Sequence, residues 1–205
     1  LFIEPESEEV LKIEKLQVKF REERNLKILQ KLKNLNYDIS YEEVKRKAKK
    51  TVGRMHFAEC LVEKGYFKKP EEVISSLLKT GKPAFVERKR LSVQEGFESI
   101  KKMKGISIVA HIGKELKDFE KVEEVLKKMK GFGVDGIEVY HSDHTIEMTK
   151  FLKKISKKYY FLISGGSDFH GKNKENVELG VGKGNLKIPL KVYNNLLEYW
   201  SKKHI

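Results

Sequence analysis

Five polar side chains with the chemistry of metal ligands each follow an apolar segment of the sequence. They are His111, His141, His144, Asp168 and His170. Four of the five are histidine, although the chain of 205 residues contains only six histidines, so chance placement explains the pattern poorly. Imidazole together with carboxylate suits borderline divalent metals such as Zn²⁺, Mn²⁺ or Fe²⁺. Clustered metals of this kind would activate water and neutralise an anionic substrate.

The apolar segments before these side chains are predicted strands, and the amphipathic segments between them are predicted helices. This alternation favours parallel strands with helices outside, whose carboxyl ends share one crevice. Gly165 and Gly166 are predicted to break the last strand and turn the chain sharply. We therefore expect His111, Asp168 and His170 to meet as metal ligands and to carry catalysis. The predicted strands are Ile106–Ala110, Gly136–Tyr140 and Phe161–Ser164, and the predicted helices are Lys117–Lys130, Ile146–Lys158 and Leu190–Lys203.

Some of these histidines and the aspartate have other interpretations that the sequence leaves open. His141 could equally be a packed core residue, and Asp168 could cap a turn instead of binding a cation. His204 lies in the charged C-terminal tail and is expected in solvent.

The first eighty residues predict a different architecture, a compact helical unit over residues 8–80. Ser40 and Glu43 form the sequence signature of a capping box, and Pro70 suits the first turn of a helix. Residues 1–7 are interpreted as the end of a strand, and residues 81–205 as the α/β part. The predicted helices are residues 8–35, Tyr41–Lys49, Phe57–Glu63 and one from Pro70, and Pro83–Val86 and Ser92 with Glu95 predict a short strand and another capping box.

Arginine and histidine also occur together in the helical part. Arg54 and His56 stand in Gly-Arg-Met-His56, and a guanidinium beside an imidazole on a glycine-flexed loop suits phosphate capture. Arg88 adds a basic group after the predicted strand at Pro83–Val86. The alternatives are a helix N-terminus for Arg54 and His56, and ordinary surface charge for Arg88.

Composition narrows the classes of function. The formal net charge of +13, with 36% charged residues, favours polyanionic partners such as nucleic acid or nucleotides, although a solvated lysine-rich surface would have the same composition. The single cysteine, Cys60, excludes an intrachain disulfide and suits the reducing cytoplasm. No stretch approaches the ~20 apolar residues of a membrane span, and the N-terminus has no signal-peptide pattern. A cytoplasmic protein without membrane partners is expected.

Three motifs resemble the later part of the PHP-domain (polymerase and histidinol phosphatase) metal-dependent phosphoesterases. The most similar subgroup contains nucleoside bisphosphate and AMP phosphatases and RNase AM-like 5′–3′ exoribonucleases, in which a helical insert interrupts the barrel. Shorter matches to this subgroup are Gly-Arg-Met-His56, Leu-Val-Glu-Lys-Gly-Tyr66 and Pro-Ala-Phe-Val86. The three main motifs are Val-Ala-His-Ile-Gly113, Gly-Ile-Glu-Val-Tyr-His-Ser-Asp-His144 and Gly-Ser-Asp-Phe-His-Gly171.

The resemblance implies an α/β fold, the C-terminal part of a distorted (β/α)₇ barrel with a helical insert subdomain. It implies up to three divalent metals (Mn, Zn or Fe) and a nucleotide or short RNA as substrate. Hydrolysis of phosphate esters is the expected reaction. By motif, the metal ligands would be His111, Asp168 and His170, and the substrate side would consist of Arg54, His56, Arg88 and His144.

The chain departs from the family pattern in two respects. The family's N-terminal ligands, among them a His-x-His pair, have no counterpart after Leu1, so we expect a piece upstream, and we expect this chain alone to bind metal weakly and to be inactive. Ile112 replaces the usual proline after the histidine of Ala-His-Pro-Gly. Missing strands would leave open sheet edges, through which the chain could self-associate. The alternatives to an enzyme are a non-catalytic PHP-like scaffold and a basic RNA-binding module.

Overall fold

The chain folds into two compact units. The computed structural model describes residues 1–49, 51–171 and 174–203. One unit is helical and comprises Val10–Leu91, against a predicted 8–80. The other contains the sheet and consists of Leu1–Glu9 together with the chain from Ser92 onward. Within the described residues, no helix is both long enough and apolar enough to cross a membrane.

The helical unit follows the capping signals of the sequence. Ser40 begins its second helix as a capping box, since its hydroxyl accepts the Glu43 N–H at 3.2 Å and the Glu43 carboxylate accepts the Ser40 N–H at 2.6 Å. Large apolar side chains such as Phe57 and Leu61 are fully buried in its core. The helices are α1 Glu8–Asn34, α2 Tyr41–Lys47, α3 Arg54–Glu63 and α4 Pro70–Val73, followed by a π-helical turn at Ile74–Leu78.

Two predictions in the helical unit are wrong. Pro83–Val86 forms turns instead of a strand, because the Ala84 N–H bonds back to the Leu77 carbonyl and Pro83 has no N–H for a ladder. Arg54 and His56 lie on the first turn of α3 and not on a loop. The His56 Nδ1 accepts the Gly53 N–H at 2.9 Å, so this imidazole caps the helix.

The α/β unit carries a sheet of three parallel strands in the order β1–β2–β3. In the register of β2 and β3, Gly136 faces Leu162 and His141 faces Gly166, with an irregularity between Glu138 and Tyr140. The strands are β1 Ile108–Val109, β2 Gly136–His141 and β3 Leu162–Gly166. The helices are α5 Val93–Lys102, α6 Ile112–Glu115, α7 Phe119–Gly131, α8 Ile146–Tyr159 and α9 Leu190–Lys202.

The glycine pair continues β3, which corrects the prediction that it breaks the strand. A Cβ at Gly165 would lie 2.8 Å from the Cβ of Tyr140, and one at Gly166 would lie 2.8 Å from the Glu138 Oε1. These positions need glycine because neighbouring side chains on β2 fill the space above them. The sharp backbone turn comes two residues later, at Asp168, whose φ is 56°.

The side chain of Asp135 holds the start of the sheet in place. The Asp135 carboxylate accepts the Ser107 N–H at 2.8 Å, the Ser107 hydroxyl at 2.7 Å and the Tyr199 hydroxyl at 2.9 Å. These bonds join the chain ahead of β1 and β2 to α9.

Leu1 exchanges two backbone hydrogen bonds with Ile106, at 2.8 and 2.9 Å, so among the described residues only the first residue of the predicted N-terminal strand pairs with its neighbour.

Candidate metal and phosphate site

The carboxyl ends of the three strands bring the predicted side chains of this unit together. The ring centroids of His111 and His141 are 6.0 Å apart, and those of His141 and His144 are 5.1 Å apart. The His141 Nε2 lies 3.9 Å from the Asp168 Oδ2. His170 is on the same loop as Asp168, with its Nδ1 3.5 Å from the Asp168 Oδ1. His141, which the sequence left open, is thus the side chain that links the others.

Asp168 is a charged carboxylate held by two lysines. Lys174 donates to its Oδ2 at 2.7 Å and Lys114 at 3.3 Å. The hydrogen bond from Lys174 is the largest cause that holds the pKa of Asp168 far below its usual range. The carboxylate therefore makes ion pairs with two lysines, and among the described residues it makes no turn-capping hydrogen bond. Any cation that binds it has to compete with these ammonium groups.

Hydrogen bonds to the backbone determine which ring nitrogen carries the proton in the neutral forms of His141, His144 and His170. The His141 Nδ1 accepts the Asp143 N–H at 3.0 Å, so in the neutral ring the proton is on Nε2, which is a donor. His144 has the opposite tautomer, since its Nδ1 lies 3.0 Å from the Val139 carbonyl oxygen, which can only accept. The His170 Nδ1 likewise donates to the Asp168 carbonyl, at 2.8 Å. The Nε2 atoms of His144 and His170 therefore carry free lone pairs.

Three imidazole nitrogens at this site are buried without a hydrogen-bond partner among the residues that the structure describes. They are the Nδ1 of His111 and the Nε2 atoms of His141 and His144. Burial, followed by the neighbouring His144, lowers the pKa of His141 to about 4, and burial lowers the pKa of His144 as well. Both rings are therefore neutral at pH 7. Buried polar atoms without partners are rare in folded proteins, and a bound ion or an ordered water is among the explanations for them.

A divalent metal fits the chemistry of these donors, because neutral imidazole and ionised carboxylate are its usual ligands. In the structure these donor side chains lie close to one another in pairs. Within residues 1–49, 51–171 and 174–203, no three His, Cys, Asp or Glu side chains are arranged to hold one ion. Of the predicted ligands, Asp168 and His170 are neighbours, and His111 reaches them through His141.

Glu138 is a site residue that the sequence analysis missed. Its Oε2 accepts the backbone N–H of His111 at 2.7 Å, and His111 has a left-handed backbone with φ 36°. Burial raises the pKa of Glu138, with the His111 N–H opposing that shift. The signal in the sequence was an acidic residue in the middle of the apolar strand Gly-Ile-Glu-Val-Tyr140. Glu138 holds His111 in a conformation that non-glycine residues seldom adopt.

The predicted phosphate ligands Arg54, His56 and Arg88 belong to the helical unit. The Arg54 Nη1 donates to the Leu78 carbonyl at 3.0 Å, which connects α3 to the π-helical turn. Arg88 is half-buried, and burial, followed by Arg21, lowers its pKa. Arg54 and His56 thus have structural contacts within this unit, and the part of all three side chains in binding phosphate stays a prediction. His204 lies outside the described residues.

Parallel strands that end in buried neutral imidazoles and a carboxylate are typical of metal-dependent hydrolases. No protein-family model matches the chain. The chain is 29% identical over 150 residues to a 5′-3′ exoribonuclease of Haemophilus influenzae, across 73% of this chain and 55% of that protein. It is 28% identical over 130 residues to a 3′,5′-nucleoside bisphosphate phosphatase of Chromobacterium violaceum, across 63% of this chain and 45% of that protein.

These relatives are named as hydrolases, and they confirm the resemblance to PHP-like phosphoesterases that the motifs predicted. The chain spans about half the length of the curated relatives it matches.

Two solved structures share the fold. One, assigned as a metal-dependent phosphoesterase of Bifidobacterium adolescentis, matches with a TM-score of 0.63 and 23% identity over 95% of this chain and 68% of that one. The other, an amidohydrolase of Chromobacterium violaceum with bound sulfate and no metal, matches with a TM-score of 0.61 and 22% identity over 96% of this chain and 69% of that one. These likenesses show that the mixed α/β fold of the chain occurs in solved structures.

Proposed function

We propose that this chain is part of a metal-dependent phosphoesterase that hydrolyses phosphate esters of nucleotides or RNA 5′ ends. Its sheet would form the C-terminal part of a distorted (β/α)₇ barrel. The observation that carries the proposal is the cluster of His111, His141 and His144, each with a buried ring nitrogen that has no hydrogen-bond partner among the described residues, in which the His141 Nε2 lies 3.9 Å from the Asp168 carboxylate. The names of the two curated relatives supply the class of substrate.

The proposed metal ligands are His111, Asp168 and His170. The Nε2 lone pairs of His170 and His144 are available to a cation, because the Nδ1 of each ring already donates to a backbone carbonyl. A bound divalent metal would act as a Lewis acid toward phosphoryl oxygens. Lys114 and Lys174 would keep Asp168 ionised until the cation displaces them.

In the proposed contacts with the substrate, side-chain N–H groups donate hydrogen bonds to phosphate oxygens. The Nε2–H of His141 suits a phosphoryl oxygen, because this nitrogen carries the proton and is neutral at pH 7. His56 has the same tautomer, since its Nδ1 accepts the Gly53 N–H. Arg54 and Arg88 would add fork-like donors to a phosphate. The proposal for His144 on the substrate side requires a protonated phosphate oxygen, since its Nε2 accepts.

The test measures phosphate release from adenosine 3′,5′-bisphosphate and nucleotide release from 5′-phosphorylated RNA, by a longer parent protein and by this chain. We expect Mn²⁺-dependent turnover by the parent, abolished by EDTA and by Asp168→Asn or His170→Gln. Asp38→Asn removes an exposed carboxylate from the helical unit and is the matched control. Full turnover by either site variant, with unchanged Mn²⁺ affinity in calorimetry, would contradict the ligand assignment.

Net charge favours one alternative, a basic RNA-binding module. A charge of +13 attracts RNA without any chemistry. RNA binding that falls steeply with salt, shows no turnover and is unaffected by Asp168→Ala would support this alternative.

We also propose that the chain can self-associate through its sheet edges. Among the described residues, β1 and β3 each form strand pairs only with β2, so each leaves one side of its backbone open. Sedimentation at rising protein concentration tests this, and a constant monomer mass would rule it out.

A further inference from the structure

A cavity of about 510 Å³ lies beside His141 and His144 in the α/β unit. The N-terminal half of α8 forms one wall of it, through residues 146, 149, 150 and 153, which recur at three- and four-residue steps and so share one helix face. The segment 185–187 forms another wall. None of the predicted metal ligands lines this cavity.

Three lysines give the cavity its charge. Lys150, Lys153 and Lys187 line it, and all three are exposed. Within the part of the chain that the structure describes, none of them lies within ion-pair distance of a carboxylate. The Lys153 ammonium lies 4.7 Å from the centroid of the Tyr140 ring, which holds this charge beside the cavity. The nearest acidic neighbour in sequence, Glu147, is engaged at the start of α8, where it bonds to its own N–H and to Thr145.

The remaining lining favours an anion that carries an organic body. His141 is 4% exposed, and its Nε2–H is buried without a hydrogen-bond acceptor among the described residues, so it can donate to an anion, whereas the His144 Nε2 presents a lone pair and does not contribute to anion binding. The N-terminal end of the 14-residue α8 adds the positive end of a helix dipole. Ile146 and Leu186 supply apolar surface that a sugar or base could cover.

We propose that this cavity binds a second phosphate group of the substrate, one nucleotide unit away from the phosphate that is cleaved. The inference rests on the proposed function, because that function places the reacting phosphate at Asp168. Lys114 and Lys174 make ion pairs with Asp168, whereas Lys150 has only the electrostatic attraction of Glu147, and Lys153 has no carboxylate within ion-pair distance among the described residues. The second phosphate is either the 3′-phosphate of a nucleoside bisphosphate or the next phosphodiester of an RNA.

The experiment measures metal-free binding in EDTA, by calorimetry, to the chain and its variants. The ligands are adenosine 3′,5′-bisphosphate, AMP and a trinucleotide that carries two phosphodiesters and no 5′-phosphate. The test variant is the double substitution Lys150→Gln, Lys153→Gln. The control is Lys154→Gln, Lys157→Gln, which removes the same charge from exposed positions of the same helix that do not line the cavity. Thermal unfolding checks that both variants fold.

We expect the test variant to bind the ligands with two phosphates roughly tenfold more weakly, the effect of about 1.4 kcal/mol. Binding of AMP should change less than about twofold, and the control should bind every ligand as the wild type does. A loss for the bisphosphate alone identifies the 3′-phosphate as the occupant, and a loss for the trinucleotide alone identifies the second phosphodiester; either supports the proposal.

Equal losses for AMP and for the ligands with two phosphates would overturn the proposal, and so would equal losses in test and control variants or no loss at all. The proposed function fails separately. If the parent shows no turnover while bisphosphate binding still depends on Lys150 and Lys153, the cavity assignment stands without the hydrolase. If turnover is metal-dependent but KM for the bisphosphate is unchanged in the test variant, the hydrolase stands and the cavity assignment is wrong.

Discussion

Acidification should destabilise the metal-free chain through His141. Its side chain is 0% exposed, its Nδ1 accepts the Asp143 N–H, and its Nε2 is buried without a partner. Protonation would place a second proton on Nδ1, where it would face that N–H, and a charge where water cannot reach it. The folded ring therefore resists protonation, which is why its pKa falls to about 4 from an ordinary 6.5.

The pH window and the size of the effect follow from these two values. In the unfolded chain the ring takes up a proton as the pH falls below 6.5, while in the folded chain it stays neutral until about 4. Stability is thus fully present above pH 6.5 and is lost progressively as the pH falls toward 4. A shift from 6.5 to about 4 corresponds to about 3 kcal/mol of unfolding free energy.

The assay is urea denaturation in EDTA at pH 7.5, 6.5, 5.5 and 4.5, with the wild type and His141→Asn. Asparagine cannot be protonated, and its carbonyl oxygen can still accept the Asp143 N–H. Between pH 7.5 and 4.5 the wild type should lose about 2–3 kcal/mol more than the variant. His170→Asn is the control for loss of a histidine, since that side chain is 60% exposed. Identical pH profiles for wild type and His141→Asn, or a His141 ring that titrates near 6.5 in NMR spectra of the folded chain, would refute the reasoning.

Three further substitutions test the surroundings of the site. Glu138→Ala should cost about 1–3 kcal/mol in urea denaturation, because it leaves the partly buried His111 N–H without an acceptor, and should weaken Zn²⁺ binding roughly tenfold; Glu138→Gln keeps the acceptor and should restore most of the stability, and no difference between the two would argue against a positioning role. Asp135→Ala should cost about 2–4 kcal/mol and lower the Tyr199 pKa, which burial and then Asp135 raise to about 12; an unchanged absorbance titration would contradict this. Arg54→Ala should cost about 1 kcal/mol of thermal stability through its lost bond to Leu78 and should raise KM in the parent protein; an equal KM would contradict phosphate binding by Arg54.

Local signals in the sequence predicted the helices well. The capping boxes at Ser40 and Ser92 form as expected, and α8 spans Ile146–Tyr159 against a prediction of Ile146–Lys158. Such caps depend on residues three apart, so neighbours in sequence determine them. The parallel order of the three strands also followed from the alternation of apolar and amphipathic segments.

Predictions that depended on distant contacts were less accurate. Gly165 and Gly166 resemble a strand break in the sequence, yet they continue β3 because Tyr140 and Glu138 of β2 occupy the space where a Cβ would lie. Glu138 itself was missed, since its partner His111 is 27 residues away and is contacted through the backbone. Neither of these long-range contacts can be predicted from the propensities of residues that are neighbours in sequence.

The different roles of the histidines could not be predicted from the sequence either, for a reason that applies to metal sites in general. His141 and His144 are three residues apart and have the same chemical formula, but one accepts a backbone N–H and the other donates to a backbone carbonyl. This difference fixes which ring presents a proton and which presents a lone pair at Nε2. A phosphate binds to a ring that presents a proton, and a cation binds to a ring that presents a lone pair. The backbone that follows β2 therefore determines which of the two each ring can bind. Spacing can place imidazoles at the end of a strand, but only the backbone around them determines what each one can bind.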